Sequence, residues 1–468
     1  MRLIIHTDVK CVHTERWSRW GTRLVPERRD NRADMQLALL ASSFLILATA
    51  SANAGSGPSM IQAPGGTGLW SRAASLATGR EGHTATLLSS GKVLIAGGTD
   101  GRGKVLASAE IYDPARDRWS SAGSMAVTRI GHSATLLPSG KVLVAGGLVM
   151  PFPSPSLAST ELYDPAANAW SIAAPMIESR TRHTATLMPD GRVLVVGGLT
   201  VTPQDGGLFP SQLTRAEIYD QAADRWSMTA PMGAHRLGQI AALLPDGRVL
   251  VAGGQDDSGT MLKSTEIYDA TEDRWVSAAP MDAARFGPVA SVLADGDVLV
   301  AGGLGEEPNA LNLALTSAEL YNPRTNQWVT IAHMAEFHAP DTGTALRNGM
   351  VLVVGTIGQS RPELYDPAHN RWSLTGPTMD RYQHSATRLR NGKVLIVGGY
   401  GIESLGSVLI YDPEGVAPVP PRPPDPRVIA ALILMALLLL AGAGWSNRAV
   451  RQRVKRWQPR RESEEWIT

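Results

Sequence analysis

The chain has 468 residues with a formal net charge of +1, and 43% of the residues are hydrophobic. This length can bury a large core, and the balanced charge argues against a nucleic-acid-binding protein. The 47 Gly and 31 Pro residues, with short apolar runs between turn residues, favour an all-β fold. The single cysteine, Cys11, excludes an intrachain disulfide and a cysteine metal cluster.

The first 54 residues have the pattern of a targeting segment. A stretch with six arginines precedes the apolar run 37–50, LALLASSFLILATA, and small residues follow at Ala52-Asn53-Ala54. This order predicts a secretory signal that is cleaved after Ala54. Because the basic region is long, an uncleaved signal anchor or a translation start downstream of Met1 remains an alternative. Residues 55–67 are predicted to be a linker.

In the middle of the chain, one pattern recurs seven times. A Gly-Gly pair, or a single glycine in its place, recurs 43 to 56 residues apart at Gly97, Gly146, Gly197, Gly253, Gly302, Gly355 and Gly398. A Tyr followed by Asp or Asn comes after each of these glycines, and a Trp follows in six of the seven units. Such a period indicates a repeat architecture in which neighbouring units bury each other's faces.

Each unit is predicted to contain four short antiparallel strands. In the first unit these are HTATLL, then KVLIAGG after a tight turn, then SAEIYDP and WSSAG. The seventh unit ends at LIYDPEG without a Trp strand, whereas Trp70 in GLWSRAASL lies ahead of the first unit. We therefore expect this N-terminal strand to complete the last unit and close the array into a ring.

The Gly-Gly, Tyr-Asp and Trp signature over residues 68–414 resembles the kelch repeat. The resemblance implies a seven-bladed β-propeller of four-stranded blades, related to the central propeller of galactose oxidase. It also raises two activities, a copper radical oxidase and a sugar mutarotase or epimerase. The oxidase needs a Cys cross-linked to a Tyr, and the propeller has no Cys. We therefore expect no copper and no other cofactor.

An arginine precedes the innermost strand of six units at the same spacing, and His338 takes its place in the remaining unit. The six are Arg80, Arg129, Arg180, Arg236, Arg285 and Arg381. Guanidinium forks suit a carboxylate or sulfate, so these residues are candidate ligand contacts. The alternative is structural pairing with an acidic or carbonyl group of a neighbouring blade. The inner strands of four units open with His83, His132, His183 and His384, which are interpreted as structural, and no metal site is predicted.

The loops after the glycines vary from LVMPFPSPSLAS at Leu148 to IGQSRP at Ile357. Alternating strand directions place these loops and the arginines on one face and the tight turns on the other. Variable loops on a rigid scaffold are typical of a binding surface, with Phe152 and Phe209 as candidate anchors. We expect this face to bind an unidentified protein or glycan, with no nucleic acid as partner. The alternatives are a sugar-modifying enzyme and a structural envelope component.

An enzyme of that kind would need an acid or base near the inner strands. The candidates on sequence position are Glu81, Glu336, His338 and Asp341. No sequence motif pairs them, so no catalytic residue is assigned.

The C-terminal part predicts membrane attachment. Residues 428–445, VIAALILMALLLLAGAGW, form a charge-free run just long enough to cross a bilayer. The tail 446–468 begins with SNRAVRQRVKRWQPRR, which has seven Lys or Arg residues. The positive-inside rule therefore predicts a single-pass protein with a cytoplasmic C-terminus and an extracytoplasmic propeller. The Pro-rich stretch 415–427 is predicted to be a stiff linker.

Overall fold

A computed structural model of the protein describes residues 60–61, 68–150, 154–204, 207–305, 314–338, 342–401 and 406–415. The predicted signal or anchor segment 1–54 and the apolar run 428–445 lie outside these residues. Within the described ranges every regular element is a β-strand, and none is a helix long and apolar enough to cross a membrane.

Seven antiparallel sheets form the blades of a propeller. Two strands precede the first blade, β1 (Met60–Ile61) and β2 (Leu69–Arg72). Blade one is β3 (Thr84–Leu87), β4 (Val93–Ala96), β5 (Ser108–Asp113) and β6 (Arg118–Ser124). Blade two is β7 (Ser133–Leu136), β8 (Val142–Ala145), β9 (Thr160–Asp164) and β10 (Ala169–Ala173). Blade three is β11 (Thr184–Leu187), β12 (Val193–Val196), β15 (Ala216–Asp220) and β16 (Arg225–Met228), with the hairpin β13 (Leu199–Gln204) and β14 (Gly207–Gln212) between its second and third strands.

The remaining blades repeat this order. Blade four is β17 (Ile240–Leu243), β18 (Val249–Ala252), β19 (Thr265–Asp269) and β20 (Arg274–Ala278). Blade five is β21 (Val289–Val292), β22 (Val298–Ala301), β23 (Ala318–Asn322) and β24 (Gln327–Thr330). Blade six is β25 (Thr342–Ala345), β26 (Val351–Val354), β28 (Glu363–Asp366) and β29 (Arg371–Leu374), and β27 (Thr356–Ser360) pairs separately with β30 (Met379–Arg381). Blade seven contains β31 (Ser385–Arg388), β32 (Val394–Val397) and β33 (Val408–Asp412).

The hydrophobic core is divided among the blade junctions. Seven clusters of buried side chains are present, one between each pair of adjacent blades. At one junction, Val93 and Ile95 of blade one pack with Leu395 and Val397 of blade seven. Because the second strand of every blade is buried along its whole length, a single unit would expose an apolar face on each side.

The N-terminal strand completes blade seven, as the sequence predicted. Strand β2 pairs with β33, with Trp70 opposite Tyr411 and their ring centroids 4.9 Å apart. Trp70 Nε1 donates a hydrogen bond to Thr375 Oγ1 at 3.3 Å, which connects this strand to blade six. Strand β1 adds a fifth strand to the sheet by pairing with β2. The ring is therefore closed by pairing between the two ends of the propeller sequence.

The Tyr and Trp signature forms the turn between the third and outer strands. Tyr112 donates its hydroxyl hydrogen to Asp117 Oδ1 at 2.8 Å, and Trp119 Nε1 donates to the carbonyl of Ala74 at 2.7 Å. Asp117 has a φ of 44°, a left-handed conformation that Asp and Asn tolerate better than most residues. The equivalent residues also have positive φ and are Asn168, Asp224, Asp273, Asn326 and Asn370. The signature therefore serves the fold.

The strand directions define two faces of the propeller. Each inner strand ends at a tight turn, as where Leu88 N donates to the carbonyl of Lys92 at 2.8 Å, and the second strand runs back toward the glycine pair. We call the side of the tight turns the tight-turn face, and the side of the glycine pairs and long loops the variable face. Leu69 lies opposite Asp412 at the tight-turn face, so β2 begins and β33 ends there, whereas β1 runs antiparallel to β2 and toward that face.

Candidate ligand-binding face

The predicted arginines lie beneath the variable face, and their side chains are buried in their own blades. Arg129 is representative and has no exposed surface. Its Nη1 donates to the carbonyls of Gly146 at 2.9 Å and Ser159 at 2.8 Å, and its Nη2 donates to Glu161 Oε1 at 3.0 Å. Burial lowers the pKa of Arg129, and the ion pair with Glu161 opposes that shift. The guanidinium therefore joins the ends of the second and third strands.

We call this arrangement, in which a buried Arg or His joins the ends of the second and third strands of its blade, the clasp. It recurs around the ring. The Arg–Glu distances are 2.9 Å for Arg80–Glu110, 3.0 Å for Arg129–Glu161, 2.7 Å for Arg180–Glu217, 2.9 Å for Arg236–Glu266 and 3.0 Å for Arg285–Glu319. In blade six, His338 Nδ1 lies 2.8 Å from the carbonyl oxygen of Gly355, and its Nε2 lies 3.3 Å from Glu363 Oε1. In blade seven, Arg381 Nη1 donates to the carbonyl of Ser407 at 3.2 Å.

These contacts correct one expectation about the arginines. The structural alternative placed their acidic partner in a neighbouring blade, but each glutamate belongs to the third strand of the same blade. The reason is that each arginine reaches across the end of its own second strand. The contacts support the structural role, and direct contact between the six arginines and a ligand stays a prediction.

The glycine pairs connect each clasp to the preceding blade. Gly98 N donates to the carbonyl of Arg129 at 2.8 Å. A Cβ on Gly97, which has a φ of 66°, would lie 2.7 Å from the same carbonyl oxygen. A side chain at Gly97 would therefore displace the backbone that carries Arg129, which explains why the repeat needs glycine at this position.

The four inner-strand histidines form a second set of contacts between blades. Their Nε2 atoms lie close to hydroxyls of the preceding blade: 3.1 Å for His132–Thr84, 2.8 Å for His183–Ser133, 2.9 Å for His384–Thr342 and 2.9 Å for His83–Ser385. Desolvation by burial, followed by the charge of Arg129, lowers the pKa of His132 to about 3. These imidazoles are therefore neutral at pH 7, and their contacts support the structural interpretation.

The mouth of the ring contains two exposed side chains that the sequence analysis did not identify. Two residues after each clasp arginine, the backbone has positive φ, and four blades have glycine there: Gly82, Gly131, Gly238 and Gly287. Blades three and seven have Arg182 and Gln383 instead, with φ of 53° and 55°. Both are exposed, and an arginine in this conformation costs roughly 1–2 kcal/mol more than glycine. Aligning the seven units by their arginines would have revealed both replacements.

The long loop of blade three forms a supported hairpin on the variable face. Strands β13 and β14 pair from Leu199–Gln212 to Gln204–Gly207. On one side, Ser156 N donates to the carbonyl of Val201 at 3.0 Å, and Val201 N donates to Ser156 Oγ at 2.9 Å. On the other, Gln212 N donates to Asp257 Oδ1 at 2.8 Å. The base of the hairpin is therefore bonded to the loops of blades two and four.

One of the two predicted anchors lies in the hairpin. Phe209 lies in β14 opposite Thr202, and Phe152 lies outside the described residues. A second aromatic group is present in blade seven, where the rings of Tyr382 and Tyr400 are 5.1 Å apart and half of Tyr400 is exposed.

The acid–base candidates do not converge in the described structure. His338 is bonded within its clasp, and Glu336 Oε1 accepts from Arg361 Nε at 3.1 Å. Glu81 is partly buried, and this burial raises its pKa. Asp341 lies outside the described residues.

Within the described ranges, no three His, Cys, Asp or Glu side chains are arranged to hold a metal ion. The copper centre implied by the galactose oxidase resemblance would need a Cys in the propeller, and the single Cys11 precedes it in sequence. The residues of this propeller do not fit that centre.

The Kelch motif matches the chain at residues 83–126, 132–177, 236–282 and 285–335. Human Kelch repeat and BTB domain-containing protein 12 is 32% identical over 111 residues, which cover 22% of this chain and 18% of that protein. Kelch-like protein 25 of Rattus norvegicus is 31% identical over 221 residues, 45% of this chain and 35% of that protein. Alpha-scruin of Limulus polyphemus is 25% identical over 47% of this chain and 19% of its own length. The chain thus spans between 18% and 35% of these relatives.

The fold is also found in a solved structure. A fungal alcohol oxidase of the AA5 family, in complex with copper, aligns with a TM-score of 0.59 and 18% identity, covering 74% of this chain and 76% of that one. This likeness concerns the fold. Together with the recurring clasps, glycine pairs and Tyr–Trp turns, the motif matches show that the chain belongs to the kelch-repeat family of β-propellers.

Proposed function

We propose that this protein is a recognition module that binds a protein or a glycan through its variable face. The observation that carries the proposal is the hairpin β13–β14, whose base is bonded on both sides to neighbouring blades. A hairpin whose base is already held by these bonds loses little conformational entropy there on binding, which favours affinity. The exposed residues along it include Thr202, Pro203 and Ser211. The sequence also places Phe209, a candidate anchor, in β14 opposite Thr202, and aromatic residues often dominate binding energy.

The rest of the variable face supports the same function. Arg182, Gln383 and Tyr400 are exposed near the ring mouth or at its rim, whereas the recurring polar groups beneath them bond within the protein. The scaffold therefore holds its shape through internal contacts, and the residues that differ between blades are the ones presented to solvent. This division is typical of loops that bind ligands on a rigid framework.

We propose further that the module is held at a membrane with its variable face pointing outward. The support comes from the apolar run 428–445, the basic tail after it and the targeting pattern of residues 1–54. Because β33 ends at the tight-turn face, where Asp412 lies opposite Leu69, the chain leaves the propeller toward the linker on the side opposite the hairpin. The linker 415–427 would span up to roughly 35 Å at about 3 Å per residue. In this arrangement the propeller is extracytoplasmic and the C-terminus is cytoplasmic.

The proposal is tested by binding of the purified full chain to a glycan array and to extracted surface proteins. In the test variant, residues 201–210 are replaced by Asn-Gly, which keeps the base pairs Thr200–Ser211 and Leu199–Gln212. A matched control replaces Arg225, Arg274 and Arg324 on the tight-turn face by Gln. Loss of a ligand in the hairpin variant alone supports the proposal. Equal binding by both variants would place the ligand elsewhere.

A further inference from the structure

The tips of the tight turns differ between the two sides of the ring. In blades two, three and four the first residue of the turn is Pro138, Pro189 and Pro245, and each packs against the turn glycine of the next blade. Blades six and seven have Arg347 and Arg390 at the same position, with their stems 3.2 Å and 3.1 Å from where a Cβ on Gly392 and Gly91 would lie. The arginine stems thus replace the prolines in packing, and the exposed guanidinium groups add positive charge to this face.

A third arginine lies beside these two. Arg388 ends the inner strand of blade seven, where blades one to three have Leu87, Leu136 and Leu187. Its Nη1 donates to the carbonyl of Ala345 at 2.8 Å. Arg347 and Arg390 likewise donate to the carbonyls of Arg390 and Ser89. Within the described part of the chain, the contacts of these three guanidinium groups are to carbonyl oxygens, and no carboxylate pairs with them.

On the opposite side of the same face, the arginines next to the tight turns pair with carboxylates. In blade three, Arg192 pairs with Asp190 at 2.7 Å, and in blade four, Arg248 pairs with Asp246 at 2.6 Å. Blade five has Asp295 at the equivalent tip. Among the inner tight turns, the arginines without a carboxylate partner in the described structure are therefore those of blades six and seven, and blade seven also holds Leu69 at the start of β2 and Gly415 after β33.

We infer that Arg347, Arg388 and Arg390 form a contact surface for anionic lipid headgroups of the membrane to which the chain is attached. This inference rests on the membrane attachment proposed above and adds a defined orientation to it. Each basic residue near an anionic membrane strengthens attraction about fivefold, so three residues favour the docked state by about a hundredfold. Such a patch is weak on its own, but attachment makes docking an intramolecular step with a high effective concentration.

The position of the patch favours a membrane over other polyanions. Strand β33 ends at the tight-turn face of blade seven, the blade that carries Arg388 and Arg390, so attachment through residues 428–445 keeps this edge nearest the bilayer. Docking there tilts blade seven toward the lipid and raises blades three and four, which carry the β13–β14 hairpin and its support. The patch and the hairpin would therefore work together, one setting the orientation and the other exposed to the ligand.

The test uses the full chain in nanodiscs of neutral lipid or of neutral and phosphatidylglycerol lipid, with an acceptor dye on the headgroups. A donor dye is attached at Ser90→Cys in blade one, next to the patch, or at exposed Ala222→Cys on the same face of blade three, opposite the patch, both in a Cys11→Ser background. We expect greater energy transfer from position 90 than from position 222 in anionic discs at low salt. The difference should disappear in neutral discs, at high salt, and in the triple variant Arg347→Gln, Arg388→Gln, Arg390→Gln.

The control variant neutralises Arg225, Arg274 and Arg324, three exposed arginines on the other side of the same face. It should keep the difference between the two dye positions. A chain that co-purifies with discs but transfers energy equally in neutral and anionic lipid contradicts the docking inference alone. A chain that does not co-purify with discs contradicts membrane attachment, and the docking inference is then wrong as well. If the difference between the dye positions is lost in both triple variants, it depends on the overall charge of the protein and not on this patch, and the inference is also overturned.

Discussion

The imidazole of His83 in blade one lies 2.9 Å from the hydroxyl of Ser385 in blade seven, although 302 residues separate them in sequence. The same contact joins blades one and two, two and three, and six and seven. In blade four the equivalent residue is Gln239, whose Nε2 donates to the carbonyl of Val196 at 2.9 Å. The inner ring is therefore linked by neutral hydrogen bonds, and closure at blade seven uses the same contact as the junctions within the chain.

The neutral histidines predict that acid destabilises the propeller. Burial lowers the pKa of His83, His132, His183 and His384 to about 3, from an ordinary value of 6.5. Since the unfolded chain takes up these protons first, the stabilisation is complete above pH 6.5 and is lost as the pH falls toward 3. At pH 5 the loss is about 2 kcal/mol for each histidine. Urea unfolding at pH 7.5 and pH 5 measures this change.

The variant His132→Gln gives the matched control, because Gln239 occupies the same position in blade four. We expect a smaller loss of unfolding free energy between pH 7.5 and pH 5 in this variant than in the native chain. An unchanged pH dependence would mean that His132 does not titrate as described.

Gly97 is predicted to be intolerant of a side chain, in contrast to Gly103. Both have positive φ, 66° and 75°. A Cβ on Gly97 would lie 2.7 Å from the carbonyl oxygen of Arg129, whereas a Cβ on Gly103 meets nothing within 4 Å. Gly97→Ala should therefore lower the unfolding free energy by about 2 kcal/mol or more, and Gly103→Ala by roughly 1 kcal/mol. Similar losses in the two variants would show that backbone conformation alone requires glycine at position 97.

Removing one partner of a clasp should lower the free energy of unfolding. Arg129→Ala leaves the Glu161 carboxylate buried without its cation, and the expected loss of unfolding free energy is about 3–5 kcal/mol. Arg129→His copies His338 of blade six and should lose less, since an imidazole can still reach a carbonyl and a carboxylate. The exposed Arg225 serves as control, and Arg225→Ala should change the free energy by about 0.5 kcal/mol at most. Equal losses for alanine and histidine at position 129 would contradict this account.

Trp70 is predicted to hold the ring closed. It is buried, faces Tyr411 and bonds to Thr375. Trp70→Ala should cost about 3–5 kcal/mol and release the N-terminal strand, which is not held by a short turn. Limited proteolysis should then cleave near residues 68–76. In Trp372→Ala the outer strand stays joined to its blade by a short turn, so no cleavage at residues 68–76 is expected, and cleavage in both variants would argue against a specific closure role.

The repeating parts of the fold were predictable because each unit repeats the same local signals. Turn glycines, alternating strands and the Tyr and Trp residues recur in register, and Trp70 matched the strand that the seventh unit lacks. The partner of the arginines was not predicted. The glutamates of the Ala-Glu-Ile-Tyr stretch recur as regularly as the arginines, but only the folded blade shows that Arg129 reaches Glu161 across its own second strand.

The parts that differ between blades were predicted less well. The stretch after the glycine pair of blade three was expected to be one of the variable loops, yet residues 199–204 and 207–212 pair as a hairpin. The sequence contains a turn signal, Asp-Gly-Gly, between the two halves of this stretch. However, Pro203 and Pro210 argue against strands. Arg182 and Gln383 were not predicted, because the recurring sequence pattern consists of the six clasp arginines, which the fold buries, and not of the residues that differ between blades.

The central claim, that the variable face binds a macromolecule through the β13–β14 hairpin, is tested most directly by site-specific photo-crosslinking of the full chain on cells. A benzophenone amino acid replaces exposed Ser211 on the hairpin, or exposed Ala294 on the tight-turn face as control. The account predicts a discrete covalent adduct from position 211 that position 294 does not give. An adduct from position 294 alone, or the same adducts from both positions, would contradict it.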